Sequence, residues 1–258
     1  MYYTEYDKSV LPLVLLVIVA FVAILALFLR KKSERVRAIP CAMVAVALLF
    51  IEIVKQRWNL IGEQGFDRFF LPFHYCSLFL IVFPLAELCG ERLSRIFRPI
   101  ATCMAFMVSV AMYVYPQGIM GNATESFGVA FKETHGFIFH HLVLLYFLLV
   151  VAMRLCRPRV RDAVRLGMIG VAYTAVALPL AYKLETNYCN FLESVIPVFE
   201  NFRIEYGQDV YTVVLILFMT FGTMISAFVY IGVYTAGAKF FELCSPKKKK
   251  SSKNLPHT

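Results

Sequence analysis

VLPLVLLVIVAFVAILALFL, residues 10–29, followed at once by RKKSERVR, residues 30–37, decides the fold. At about 1.5 Å of rise per residue, a helix of that length covers roughly the 30 Å hydrocarbon thickness of a bilayer. Lipid offers backbone amides no hydrogen bonds, so an apolar run of this length has to be a helix that satisfies itself. The run is too long for a signal-peptide core and has no basic segment ahead of it, so it is expected to stay in the protein as a helix.

Six further apolar runs follow, at Ala38–Val54, Phe69–Leu88, Ile96–Tyr115, Gly136–Met153, Val164–Tyr182 and Val210–Tyr234. The fourth and sixth spans, with Pro99 and Pro179, are the least hydrophobic. A hydrophobic share of 60% with 17% charged residues exceeds the roughly 45–50% apolar content of soluble domains. The expected fold is all-α, a polytopic membrane bundle of about seven transmembrane helices over residues 1–244, with a basic, disordered tail at 245–258. No length is left for a separate soluble catalytic domain.

Lys and Arg concentrate in alternate connections. Arg30, Lys31, Lys32, Arg35 and Arg37 form one group, Arg92, Arg95 and Arg98 a second, Arg154 to Arg165 a third, and Lys239 with the tail a fourth. Basic loops stay cytoplasmic, which places the N-terminus outside and the C-terminus in the cytoplasm. The net charge of +9 is thereby explained without a nucleic-acid partner. Lys247, Lys248, Lys249 and Lys250 are placed to meet anionic headgroups, and membrane lipids are the expected partners. The seven cysteines form no CxxC pair and no metal spacing; neither a metal nor a cofactor is expected. Asn122-Ala-Thr124 is a glycosylation sequon in an outer loop, with meaning only in a eukaryotic secretory pathway. The lack of an internal repeat, or of interrupted helices in matching halves, weakens a transporter reading.

Ionisable groups inside spans are costly, and so point to function. Glu52, His74, His140 and His141 all fall near the outer ends of three different spans, roughly 6–9 Å below the boundary at 1.5 Å per residue. That common depth permits one polar site roofed by the 183–209 loop. His74 and Cys76 lie about 200° apart on a helix and face nearly opposite ways unless Pro72 loosens the turn, which disfavours a dyad within that segment. A histidine of the fifth span could reach either of them across the bundle. His140 and His141 diverge by about 100°, so one of them faces the interior, with His140 favoured. Glu52 could orient a histidine, or pair with Lys55 three residues on. Glu87, at the inner end of the third span, is expected to snorkel to water.

Glu52, Arg57-Trp58, Leu71-Pro72-Phe73-His74-Tyr75-Cys76-Ser77, Tyr115-Pro116, His140, Asn187-Tyr188 and Phe191-Leu192 together resemble the YwaF-like integral membrane proteins. A eukaryotic branch of phospholipid-remodelling acyltransferases is grouped with that family. The Leu71–Ser77 stretch looks like the family's L-P-x-H-x-C-S/D segment. The resemblance implies a multipass protein of the bacterial cytoplasmic membrane, and nominates His74, Cys76, His140 and Asn187. In the acyltransferase branch a cysteine beside the motif histidine carries the acyl group. Here the residue before His74 is Phe73, and the nearest thiol is Cys76.

Three functions fit these residues. In an acyl-transferring or other lipid-modifying enzyme, His74 or His140 is the general base, oriented by Glu52. It activates a lipid hydroxyl or the Cys76 thiol, which resists ionisation in apolar surroundings unless a histidine helps. Asn187 and Tyr188 then donate to the oxyanion, with His141 also near the substrate. In a transporter or proton-coupled channel the same cluster binds solute or relays protons. In a sensor or assembly factor it does no chemistry.

Overall fold

The computed structural model describes residues 4–62, 65–121 and 123–244. Asn122 of the sequon and the tail bearing Lys247, Lys248, Lys249 and Lys250 lie outside the described residues. Helices α1 (Glu5–Leu29), α2 (Glu34–Ile61), α3 (Phe79–Glu87), α4 (Glu91–Val114), α5 (Pro116–Met120), α6 (Phe131–Ala152), α7 (Val160–Leu184), α8 (Pro197–Tyr206) and α9 (Gln208–Cys244) follow one another, with no strand among the described residues. Local chemistry starts them where it should. Thr4 and Asp7 form a reciprocal capping box ahead of α1, and the Asp162 carboxylate accepts the Arg159 N–H at the start of α7 (2.9 Å). Pro12, Pro40, Pro99 and Pro179 sit inside helices without ending them, as spans surrounded by other helices tolerate.

Six helices, α1, α2, α4, α6, α7 and α9, are long and apolar enough to cross a membrane. The expected third span is different. Instead of one helix over Phe69–Leu88, the chain makes a 3-10 turn at Arg68–Phe70, extends through Leu71 and His74, makes a second 3-10 turn at Tyr75–Leu78 and only then enters α3. Pro72 is the physical cause: it has no N–H to give a helix, and it forces Leu71 into the extended region (ψ 149°).

This broken segment still runs from one end of the bundle to the other. At one end, Phe70 takes a hydrogen bond from Gln56 of α2, and Arg68 donates to the Leu184 carbonyl where α7 stops. At the other, Glu87 binds Arg98 of α4, which also reaches Glu34 at the start of α2 (3.7 Å). Arg35 joins Glu91, and Arg37 donates to the Met153 carbonyl at that same end. Basic connections therefore gather at one end, and the histidine-bearing motif lies toward the opposite one.

Helix α4 is the hub, packed against α3, α6, α7 and α9. Its Ala101, Ala105 and Cys103 are fully buried, small residues that let neighbouring backbones approach where no hydrophobic effect drives association. Phe83 stacks on Tyr146 at 3.8 Å between centroids. Leu16, Phe28, Phe221 and Val233 project from the surface, as lipid-facing residues should. Glu87 corrects the sequence reading: its side chain has no exposure, so it does not snorkel, and it forms a bidentate pair with Arg98 (2.9 Å each) and accepts from the Tyr146 hydroxyl (2.7 Å). Pairing at the end of α3 replaces water as the way to satisfy the charge. In the 185–207 connection, α8 lies along α9 and exposes Val198 and Ile204, the amphipathic habit of a helix at an interface.

Candidate functional site

Irregular backbone at membrane depth is tolerated only when its polar groups find partners in protein. The segment around Pro72 meets that demand with side chains. The Asp67 carbonyl accepts from Asn59 (3.0 Å), Arg68 from the Tyr188 hydroxyl, Phe69 from the His74 ring (3.0 Å), Phe70 from Gln56 (2.7 Å), Phe73 from the Cys189 thiol (3.4 Å) and His74 from the Tyr173 hydroxyl (2.8 Å). Asn59 also accepts the Asp67 N–H through its Oδ1 (3.0 Å). Burial, with Cys76 adding to it, pushes the Cys189 thiol up to about 12, so it keeps the proton it donates. Six carbonyls are thus held by side chains from α2, α7, the 185–196 connection and the segment itself.

What this frame presents is Cys76. The second 3-10 turn swings its thiol toward α6, and Nε2 of His140 stands 3.4 Å from Sγ. Nδ1 of His140 is 2.8 Å from the Gly136 carbonyl one turn back. A carbonyl can only accept, so Nδ1 carries the hydrogen, and in the neutral ring Nε2 faces the thiol with its lone pair. This is the proton-accepting tautomer.

The other candidates are placed differently. His74 uses its Nε2 to staple the Phe69 carbonyl and packs against Phe69 and Tyr188 (4.5 and 5.4 Å between centroids). Among the described residues, Glu52 bonds neither His74 nor His140. Its carboxylate pairs with Lys55 (2.8 Å), accepts from Gln56 (2.7 Å) and lies 3.6 Å from Nε2 of His135. Asn187 holds its own loop, donating to the Glu193 carbonyl (3.0 Å) and accepting from the Leu192 and Glu193 amides. The Tyr188 hydroxyl is spent on Arg68. His141 binds the Phe137 carbonyl (2.8 Å) and lies beside Ile18 of α1, not at Cys76. No three His, Cys, Asp or Glu side chains among the described residues are grouped as a metal needs.

Sequence reasoning missed His135, Gln56, Asn59 and Tyr173. His135 escaped because the fifth span was started at Gly136, whereas α6 begins five residues earlier, its first turns steadied by Thr134 on the Ala130 carbonyl (2.7 Å). Near this region, Lys132 sits above the Phe69 and Phe70 rings (5.1 and 5.3 Å) and Trp58 stacks on Phe131 (4.7 Å). No curated protein and no solved structure matches the chain. The family is nonetheless shown by a model that covers most of this multipass membrane protein: over residues 2–230 it matches the TMEM164 family, and the chain belongs to that family.

Proposed function

We propose that the protein is a membrane-bound acyltransferase that carries its acyl group on Cys76. His140 takes the thiol proton on Nε2 as the sulfur attacks the ester carbonyl of a donor lipid. The C–O bond breaks, the leaving alkoxide takes the proton from His140, and a thioester and a lyso-product result. In the second half His140 removes the proton of an acceptor hydroxyl, the oxygen attacks the thioester, the C–S bond breaks and the thiol regains its proton.

The observation that supports this reading most is the His140 tautomer set by Gly136, with the lone pair on the thiol at 3.4 Å. Leu71–Ser77 resembles the YwaF-like L-P-x-H-x-C-S/D segment, and it supplies the thiol two residues beyond His74, a departure from the acyltransferase branch, where the cysteine is beside the histidine. His74, Tyr188 and Asn187 act as positioning residues: the first two fix the Pro72 segment and the third fixes the loop above it. Glu52 holds Lys55 and His135 beside them. With the basic connections cytoplasmic, the substrate is a lipid of the outer leaflet. The test is acyl loading: incubated with a lipid ester bearing a labelled acyl chain, the protein acquires a label that hydroxylamine at neutral pH removes and Cys76→Ala lacks. Unchanged labelling in Cys76→Ala overturns the covalent route.

A further inference from the structure

Cys189 brings a second thiol to the Pro72 segment. It donates to the Phe73 carbonyl at 3.4 Å, and the Tyr75 N–H faces the same sulfur, drawing its pKa down against burial. Tyr75 is the residue before Cys76, and both lie in the 3-10 turn Tyr75–Leu78. At about 2 Å of rise per residue such a turn is short, which makes the two sulfurs neighbours. Cys76 is accordingly the largest influence on Cys189 after burial itself. Neither sulfur is sealed in the core, and both side chains keep some exposure.

Holding the second thiol there strains the backbone. Cys189 (φ 53°) and Asn190 (φ 62°) are consecutive residues in the left-handed region, which asparagine tolerates and cysteine does not favour. Bonds on both sides enforce it: the Tyr188 hydroxyl donates to the Arg68 carbonyl, and the Tyr211 hydroxyl to the Asn190 carbonyl (2.5 Å). Strain that neighbours hold in place this way clusters at functional sites. The other described cysteines stand elsewhere. Cys156 meets Thr102 (3.5 Å), whose hydroxyl donates to the Arg98 carbonyl at the basic end, and Cys41, Cys89 and Cys103 lie near Glu34, Glu91 and Arg98 in sequence at that same end. Among the described cysteines, Cys189 alone shares an end of the bundle with Cys76.

We propose that Cys76 and Cys189 close a reversible disulfide that withdraws the nucleophile from His140. His140 takes the Cys76 proton and the sulfur attacks a peroxide; the O–O bond breaks, water leaves with that proton, and Cys76 becomes a sulfenic acid. Cys189 releases Phe73 and its sulfur attacks that of Cys76, which has turned about its Cα–Cβ bond; the S–O bond breaks and a second water carries off the Cys189 proton. Two thiols are oxidised and one peroxide is reduced, and a dithiol reverses the bond. With the basic connections cytoplasmic, this end faces the compartment where disulfides persist. The device rests on the acyl-transfer reading in taking His140 as the base, and it stops acyl loading because the sulfur is already bonded.

The test treats the full chain in nanodiscs with hydrogen peroxide, caps free thiols with N-ethylmaleimide and digests without reductant. Mass spectrometry should find a cross-linked peptide pair that joins Cys76 to Cys189 and comes apart in dithiothreitol. Acyl loading should fall in proportion to the cross-linked fraction and return on reduction. Cys189→Ser keeps a donor for the Phe73 carbonyl but cannot cross-link. Measured against its own untreated level, its loading should be lost beyond rescue by dithiothreitol, because a sulfenic acid without a resolving thiol goes on to sulfinic acid. Cys76→Ser should leave Cys189 open to capping after peroxide. A cross-link in a protein that loads no acyl group supports the disulfide and overturns only the acyl-transfer reading. Full capping of Cys189 after Cys76 is oxidised, a bond from Cys76 to another cysteine, or equal recovery of loading in wild type and Cys189→Ser overturns the switch.

Discussion

Gly136 and Cys76 are 60 positions apart in sequence, yet they meet at the two nitrogens of one ring: the Gly136 carbonyl accepts from His140 Nδ1–H at 2.8 Å, and Cys76 faces Nε2 at 3.4 Å. A backbone carbonyl does here what a carboxylate does in many nucleophile–histidine pairs, setting the tautomer without adding charge. His140→Gln should therefore lower the rate of acyl loading by at least about 100-fold, the ordinary worth of a positioned general base. Loading should recover partly at alkaline pH, where more of the thiol ionises without help. A His140→Gln protein that loads at the wild-type rate near neutrality rules out His140 as the base.

The stapled segment makes a separate prediction about Asn59. Its amide satisfies both the carbonyl and the N–H of Asp67, and the side chain is wholly buried. Asn59→Ala strands two polar groups, at about 1–3 kcal/mol each when buried. Tyr173→Phe strands only part of the His74 carbonyl, which also accepts the Ser77 N–H (2.8 Å). Thermal unfolding in detergent should show Asn59→Ala losing more stability than Tyr173→Phe, and both should slow acyl loading. Equal, negligible losses mean that the segment is held by something else.

Glu200 supplies a pH dependence outside the membrane-spanning helices. The Arg203 guanidinium holds its carboxyl down to about 2, helped by the Ser194 N–H at 2.8 Å. A carboxyl lowered in the folded state contributes stability above its unfolded value, about 4.3, and that contribution fades as pH falls through the folded one. Amide exchange over residues 194–206 should accelerate relative to the helical core between about pH 4 and pH 2. In Glu200→Gln the pH dependence should vanish. Because the pair lies partly open to solvent at the surface, the effect should stay local and shrink in salt.

The long apolar runs made the bundle readable from sequence, because lipid leaves a twenty-residue hydrocarbon stretch such as Val10–Leu29 one conformation. What hid was whatever departs from that rule. Pro72 stood in plain view, but the cost of breaking a span is offset by Asn59, Gln56, Tyr173 and Cys189 on other elements, and no spacing announces such partners. The helical angle between His74 and Cys76 had no bearing in the end, because His74 is extended and Cys76 lies in a 3-10 turn, but a histidine arriving from the fifth span was foreseeable. Polar first turns hid His135, since Lys132-Glu-Thr-His135 reads as a loop until its packing is seen. Glu87 misled for the complementary reason: a carboxylate at a helix end has water as its default partner, and only the fold supplies Arg98 and Tyr146.

That last cluster gives the sharpest test of the fold itself. Glu87 has no exposure, and two bonds to Arg98 with one from Tyr146 leave it fully engaged. Removing one partner of a buried pair leaves the other charged and unpaired, which costs about 3–5 kcal/mol, whereas losing the tyrosine hydroxyl costs about 1 kcal/mol. Arg98→Met should thus destabilise strongly and Tyr146→Phe mildly. The double variant Glu87→Leu with Arg98→Met removes both charges at once, and should recover much of the loss because no ion is left stranded in the bundle. Chemical denaturation in mixed micelles reads all three, and a double variant as unstable as Arg98→Met alone would show that the pair does more than cancel its own burial.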